Sequence, residues 1–68
     1  NTIAAGFIIT PMTNKLNEGQ INEIMKRIPM KKLGEPEDVA NLALFLSSNV
    51  SKYITGQTFH LNGGMLMV

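Results

Sequence analysis

The sequence contains no cysteine and no tryptophan, and it has one histidine and one tyrosine. Without cysteine there are no disulfides and no thiolate metal ligands, and His60 alone could not complete a metal site. Charge is also sparse, with a formal net charge of +1 and 16% charged residues. Such a balance commits the chain neither to nucleic acid nor to an anionic membrane. The longest stretch free of charge, Asn1 to Asn14, is broken by threonine, glycine and proline. It is too short to span a bilayer. No basic segment precedes an apolar run, so no signal peptide is visible, and the missing cysteine is compatible with the expected location, a reducing cytoplasm. An initiator methionine is absent as well. The sequence opens inside an apolar, strand-like run, which reads as a piece of something longer.

What is present suits a folded core rather than disorder, at 44% hydrophobic. Sixty-eight residues make at most one small domain, which buries only about 60% of its unfolded surface. Ile3 to Ala5 is a short apolar run closed by Gly6, as expected for a strand buried on both faces, although periodicity alone also admits a helix. Gly6 permits a turn, or a close approach of backbone to ligand. Pro11 biases Thr10 away from helix.

Asn17 and Gln20 have the spacing of a capping box. Ile21, Ile24, Met25 and Ile28 then recur at i, i+3, i+4 and i+7, predicting a short helix with one apolar stripe. Lys26 and Arg27 sit in its last turn, where the helix dipole favours cations, and Pro29 stops it. A connector, Leu33-Gly34-Glu35-Pro36, leads to a second helix with Pro36 at its start and Glu37 and Asp38 in its first turn. From Val39 to Leu46 only Asn41 is polar. Either this helix is central, or its outer side meets another subunit. A last strand is expected near Gln57 to Leu61, with Gln57, Phe59 and Leu61 on one face and Thr58 and His60 on the other. Asn62-Gly63-Gly64 breaks it, and Met65 to Val68 is an apolar tail.

Three separated motifs carry a resemblance. The opening I-A-x-G-F-I-x-T resembles the segment of short-chain dehydrogenases/reductases that follows their sixth strand. R-I-P-M-K-K-L-G-E-P-E-D-V-A is similar to the family's P-x-x-R-x-G-x-P-E-E-V-A helix. Y-I-T-G-Q-T-F-H-L-N-G-G-M looks like its final strand. Order and spacing agree over all 68 residues. N-G-G-M-x-M-V at the C-terminus is similar to the family's NADPH-dependent ketoreductases of bacterial fatty-acid synthesis.

The resemblance implies an α/β fold, the C-terminal part of a doubly wound Rossmann-type parallel sheet. The implied division is 1–12 for a strand and nicotinamide loop, 13–29 for a flap helix, 35–48 for an interface helix and 53–64 for the last strand. Gly6, Ile8 and Thr10 match family positions that contact the nicotinamide carboxamide of NADPH, Ile8 through its backbone and Thr10 through its hydroxyl. Met12 to Ile28 matches a mobile flap over the substrate. The implied reaction is reduction of a β-ketoacyl thioester on acyl-carrier protein. The implied assembly is a homotetramer built through the 35–48 helix and the last strand, with no nucleic-acid or membrane partner.

Two departures stand out. Ala5 replaces the family's usual proline, which predicts a less rigid loop, and Lys32 replaces an arginine, keeping the charge without the planar fork. No glycine-rich phosphate turn is present, nor the family's Tyr-x-x-x-Lys pair and serine, so these residues supply no catalytic group. Tyr53 is not that tyrosine, since position 57 is Gln. Another short-chain oxidoreductase, acting on a sugar, steroid or alcohol, is the alternative within the family. A non-catalytic interaction module is the alternative outside it. Lys26, Arg27, Lys31 and Lys32 are four cations in seven residues, read first as a solvated helix end and second as a docking patch for an acidic carrier. His60 is read as a structural residue in a sheet.

Overall fold

A computed structural model describes residues 1–11 and 13–67. The positions Met12 and Val68, which the expected loop and tail included, lie outside the described residues. Strand β1 (Thr2–Ala5) is followed by a 3-10 turn (Thr13–Lys15), helix α1 (Glu18–Lys26), helix α2 (Pro36–Ser47), a second 3-10 turn (Asn49–Ser51) and strand β2 (Thr58–Leu61).

The two strands pair in parallel, Thr2 opposite Thr58 through Ala5 opposite Leu61. Asn1 sets the register from its side chain. Its Nδ2 donates to the Ile54 carbonyl at 3.1 Å and its Oδ1 accepts from the Gln57 amide at 3.0 Å. Gln57 itself lies one residue outside the strand, and its carbonyl accepts from Thr2. Within β2, Phe59 and Leu61 are half-buried while Thr58 and His60 are exposed, the alternation of a pleated strand.

Helix α1 begins where its cap dictates. Asn17 accepts from the Gln20 amide at 2.8 Å, and the Gln20 side chain accepts from the Asn17 amide at 3.1 Å. This reciprocal box satisfies two of the orphan donors at a helix start, so the helix cannot extend back to residue 13 as one piece. The helix ends at Lys26, with Arg27 as its C-cap. Ile28-Pro29-Met30-Lys31 then closes a turn, with the Lys31 amide donating to the Ile28 carbonyl at 2.8 Å.

Helix α2 starts at Pro36 after Glu35, whose amide donates to Asp38 at 2.8 Å. Val39, Leu42, Ala43 and Leu46 form its half-buried stripe, and the helix packs on β1. Leu44 and Phe45 face outward, Leu44 at 72% exposure. Ser51 is buried beyond the helix end, and its hydroxyl lies 3.0 Å from the Leu46 carbonyl and 3.1 Å from that of Ser48. The Leu46 carbonyl is one of those a helix end leaves without an intrahelical partner, while that of Ser48 also accepts the Ser51 amide at 3.2 Å, so the buried serine is satisfied there.

The composition predicted a folded core, yet among the described residues Ile28 is the only buried hydrophobic side chain. Two strands and two helices do not cover one another's apolar faces. β1 was expected to be buried on both sides, but only Ile3 and Ala4 are half-buried, and Thr2 and Ala5 are exposed. The physical reason is that a two-stranded sheet with one packed helix leaves an edge and much of a face open.

Candidate functional site

Gly6 leaves β1 with its amide donating to the Leu61 carbonyl at 2.8 Å. A Cβ at Gly6 would stand 2.7 Å from Asn62 Cβ and 3.0 Å from Asn62 Cα. The two segments therefore run closer at this point than any side chain permits. Its glycine is required by strand packing, and ligand contact is not needed to explain it.

Two residues on, Ile8 forms an isolated parallel bridge to Gly34. The Phe7 carbonyl accepts from Gly34 at 2.9 Å, and the Ile9 amide donates to the Gly34 carbonyl at 2.7 Å. In a parallel bridge of this pattern the central residue's own amide and carbonyl point the other way. Among the described residues neither the N–H nor the C=O of Ile8 has a hydrogen-bond partner. That leaves one donor and one acceptor side by side on a backbone held in place by its neighbours. Such a pair is complementary to a primary amide, which carries both functions.

Thr10 is half-buried and bound into a closed ring with Thr13. The Thr10 amide donates to Thr13 Oγ1 at 2.7 Å, and Thr13 Oγ1 donates to the Thr10 carbonyl at 2.9 Å. The Thr13 amide donates to Thr10 Oγ1 at 3.3 Å. This ring caps the 3-10 turn Thr13–Lys15. Thr13 escaped the sequence reading. The signal was present in T-P-M-T, a hydroxyl at the start of a turn and another three residues on, which is the spacing of a capping box.

Phe7 and Ile9 each line an open cavity next to the start of α2. One, of about 290 Å³, is lined by Phe7, Leu33, Asp38, Leu61 and Asn62 among others. Gly6, Ile8 and Thr10 line neither this cavity nor the one beside Ile9. The cations of the α1 end are partly engaged. Lys26 pairs with Glu23 at 3.4 Å, and the Lys31 ammonium donates to the Lys26 carbonyl at 3.4 Å. Both arrangements suit a solvated helix end. Among the described residues no group of three or more His, Asp or Glu gathers as a metal site, and no helix is long and apolar enough to cross a membrane.

A family model described as enoyl-(acyl carrier protein) reductase matches residues 1–66. A 3-oxoacyl-[acyl-carrier-protein] reductase of Rickettsia felis is 57% identical over 68 residues, and one of Staphylococcus epidermidis is 49% identical over 67. The chain spans 28% of the length of each of these relatives. A crystal structure of a 3-oxoacyl-[acyl-carrier protein] reductase from Brucella melitensis superposes with a TM-score of 0.92 at 41% identity, over 97% of this chain and 25% of that one. A glucose/ribitol-type short-chain dehydrogenase/reductase from the same organism gives 0.87 at 38%, over 97% and 27%. With its two parallel strands and two helices, the chain matches the C-terminal part of a Rossmann-type sheet.

Proposed function

The chain belongs to the short-chain dehydrogenase/reductase family, and we propose that it forms the nicotinamide-holding part of an NADPH-dependent reductase of 3-oxoacyl thioesters. The family model carries the name of an enoyl reductase, while the relatives at 49–57% identity are 3-oxoacyl reductases. The high identity of those relatives along nearly the whole chain favours the ketoreductase reading.

The observation that carries it is the unpaired donor and acceptor of Ile8 among the described residues. Ile8 N–H would donate to the carboxamide oxygen and Ile8 C=O would accept from its amino group, while Thr10 adds a hydroxyl beside them. When bound, NADPH supplies a hydride from the nicotinamide C4 to the 3-oxo carbon. The chain's part is to fix which ring face meets the substrate, and orientation of this kind accounts for a large share of a rate enhancement. The segment from the 3-10 turn through α1 would cover the site as a flap and exclude water. The substrate would arrive on acyl-carrier protein, as the relatives' names state. The cytoplasm is the proposed location, with which a cysteine-free chain is compatible.

The test uses a chimaera in which this chain replaces the matching segment of the Rickettsia felis reductase. Ile8→Pro removes one N–H while leaving both hydrogen bonds of the bridge to Gly34, which Phe7 and Ile9 make. It is expected to raise the KM for NADPH about ten-fold, the effect of one hydrogen bond in a desolvated site, while Ile8→Val leaves it unchanged. Equal effects of the two variants would reject the reading. Marked preference for acyl thioesters over sugars or simple alcohols distinguishes this function from a glucose/ribitol-type activity.

A homotetramer is part of the same proposal. Its support is the outward apolar side of α2 and the turn after it, where Leu44 and Val50 are 72% and 81% exposed. Patches of this kind mark association surfaces. Leu44→Glu in the chimaera is expected to lower the sedimentation mass, and an unchanged tetramer would exclude this face.

A further inference from the structure

Thr10 has three polar groups besides its hydroxyl proton, and each of the three is engaged locally. Its amide donates to Thr13 Oγ1 at 2.7 Å, its carbonyl accepts from Thr13 Oγ1 at 2.9 Å, and its Oγ1 accepts the Thr13 amide at 3.3 Å. Thr13 Oγ1 is therefore both donor and acceptor to the same residue, and its proton is spent within the ring. The one proton of the ring left unspent is that of the Thr10 hydroxyl, which has no acceptor among the described residues.

We propose that Thr13 is a positioning residue, whose ring with Thr10 locks the Thr10 hydroxyl as an outward-pointing donor for the cofactor's carboxamide oxygen. Threonine is stiff at χ1, and an Oγ1 held by a backbone amide is restricted further. Pro11 lies inside the ring and fixes one backbone torsion of its short connection. The ring occupies one lone pair of Thr10 Oγ1 and fixes the oxygen's position, so a bound group meets a hydroxyl whose orientation entropy is already partly lost. Thr13 also opens the 3-10 turn leading toward α1. The donor is thereby tied to the covering segment as well as to the strand.

The inference rests on the proposed nicotinamide site, and the test separates the two. NADPH is titrated by fluorescence against the chimaera and its Thr10→Val, Thr13→Val and doubly substituted forms, with Thr13→Ala replacing Thr13→Val if the latter does not fold. Thr10→Val and Thr13→Val are each expected to weaken binding about three- to ten-fold, the range of one hydrogen bond. The double variant is expected to be no weaker than Thr10→Val alone, and Thr13→Ser to restore binding. If Thr10→Val weakens binding but Thr13→Val does not, the positioning role falls and the site stands. Additive losses also overturn it, since Thr13 would then act through general structure. If Thr10→Val itself leaves binding unchanged, the hydroxyl contact falls, and the positioning role with it.

Discussion

Both strands end in a loop at the same edge of the sheet, and the two loops use their polar groups in opposite ways. After β2, Asn62 Oδ1 accepts from the Gly64 amide at 2.9 Å, and its Nδ2 donates to the Leu66 carbonyl at 3.0 Å. Its carbonyl accepts from Met65, and the Gly63 carbonyl accepts from Met30 at 3.1 Å. Buried Ile28 packs against Gly63, and Pro29 against Gly64. This loop is a hub in which contacts are made within the chain. After β1, the loop from Gly6 to Thr10 is braced by Asn62, Gly34 and Thr13, yet it leaves the Ile8 amide and carbonyl without partners among the described residues. Rigid bracing around unpaired groups is the arrangement a preorganised binding loop needs. In open α/β sheets, ligands bind at the carboxyl ends of the strands, where this loop lies.

The contrast is broken most forcefully at the hub. Gly63 has φ of +64° and a Cβ there would stand 2.8 Å from Ile28 Cγ2. Gly63→Ala is expected to destabilise by about 2–4 kcal/mol, adding left-handed strain to overpacking, read as a fall in the chimaera's melting temperature. A melting temperature within error of the parent would show that the hub yields easily.

Gly6→Ala probes the point where the two loops touch. The added methyl meets backbone-proximal atoms of Asn62 at 2.7 Å, which predicts a loss of about 1–3 kcal/mol from overpacking. Because this glycine is needed for packing, NADPH affinity at a temperature where the protein is folded is expected to change less than in Ile8→Pro. A larger loss of affinity than of stability would make Gly6 a ligand contact.

The smallest effect is expected at Ala5. Gly6 turns its amide toward β2, so the Ala5 amide points away from that ladder. Proline there removes no β1–β2 hydrogen bond. Ala5→Pro is expected to stabilise by about 0.4–1 kcal/mol through a less flexible unfolded chain, measured by denaturant unfolding. Destabilisation would mean that the loop's backbone angle at residue 5 is not one proline adopts.

The sequence by itself determined what depends on neighbours along the chain. The Asn17–Gln20 box, the start of α2 at Pro36, the stripe of α1 from Ile21 to Met25 and the alternation in β2 follow from local hydrogen bonding and periodicity, whereas Ile28, expected on the same helix, lies in the turn beyond its end at Lys26. These interactions span three to seven residues, so spacing alone reports them. The motif resemblance belongs here too, since order and spacing are sequence properties. Tertiary structure alone decided the rest. The β1–β2 register joins residues 56 apart, and nothing local states which strands meet. The use of Gly6 against Asn62, and the bridge that pairs Phe7 and Ile9 while leaving Ile8 unpaired, are consequences of that meeting. Burial was decided the same way. An apolar composition states that faces will be covered, while the partner that covers each face is set by the packing of distant segments, and here only Ile28 among the described hydrophobic residues is fully enclosed.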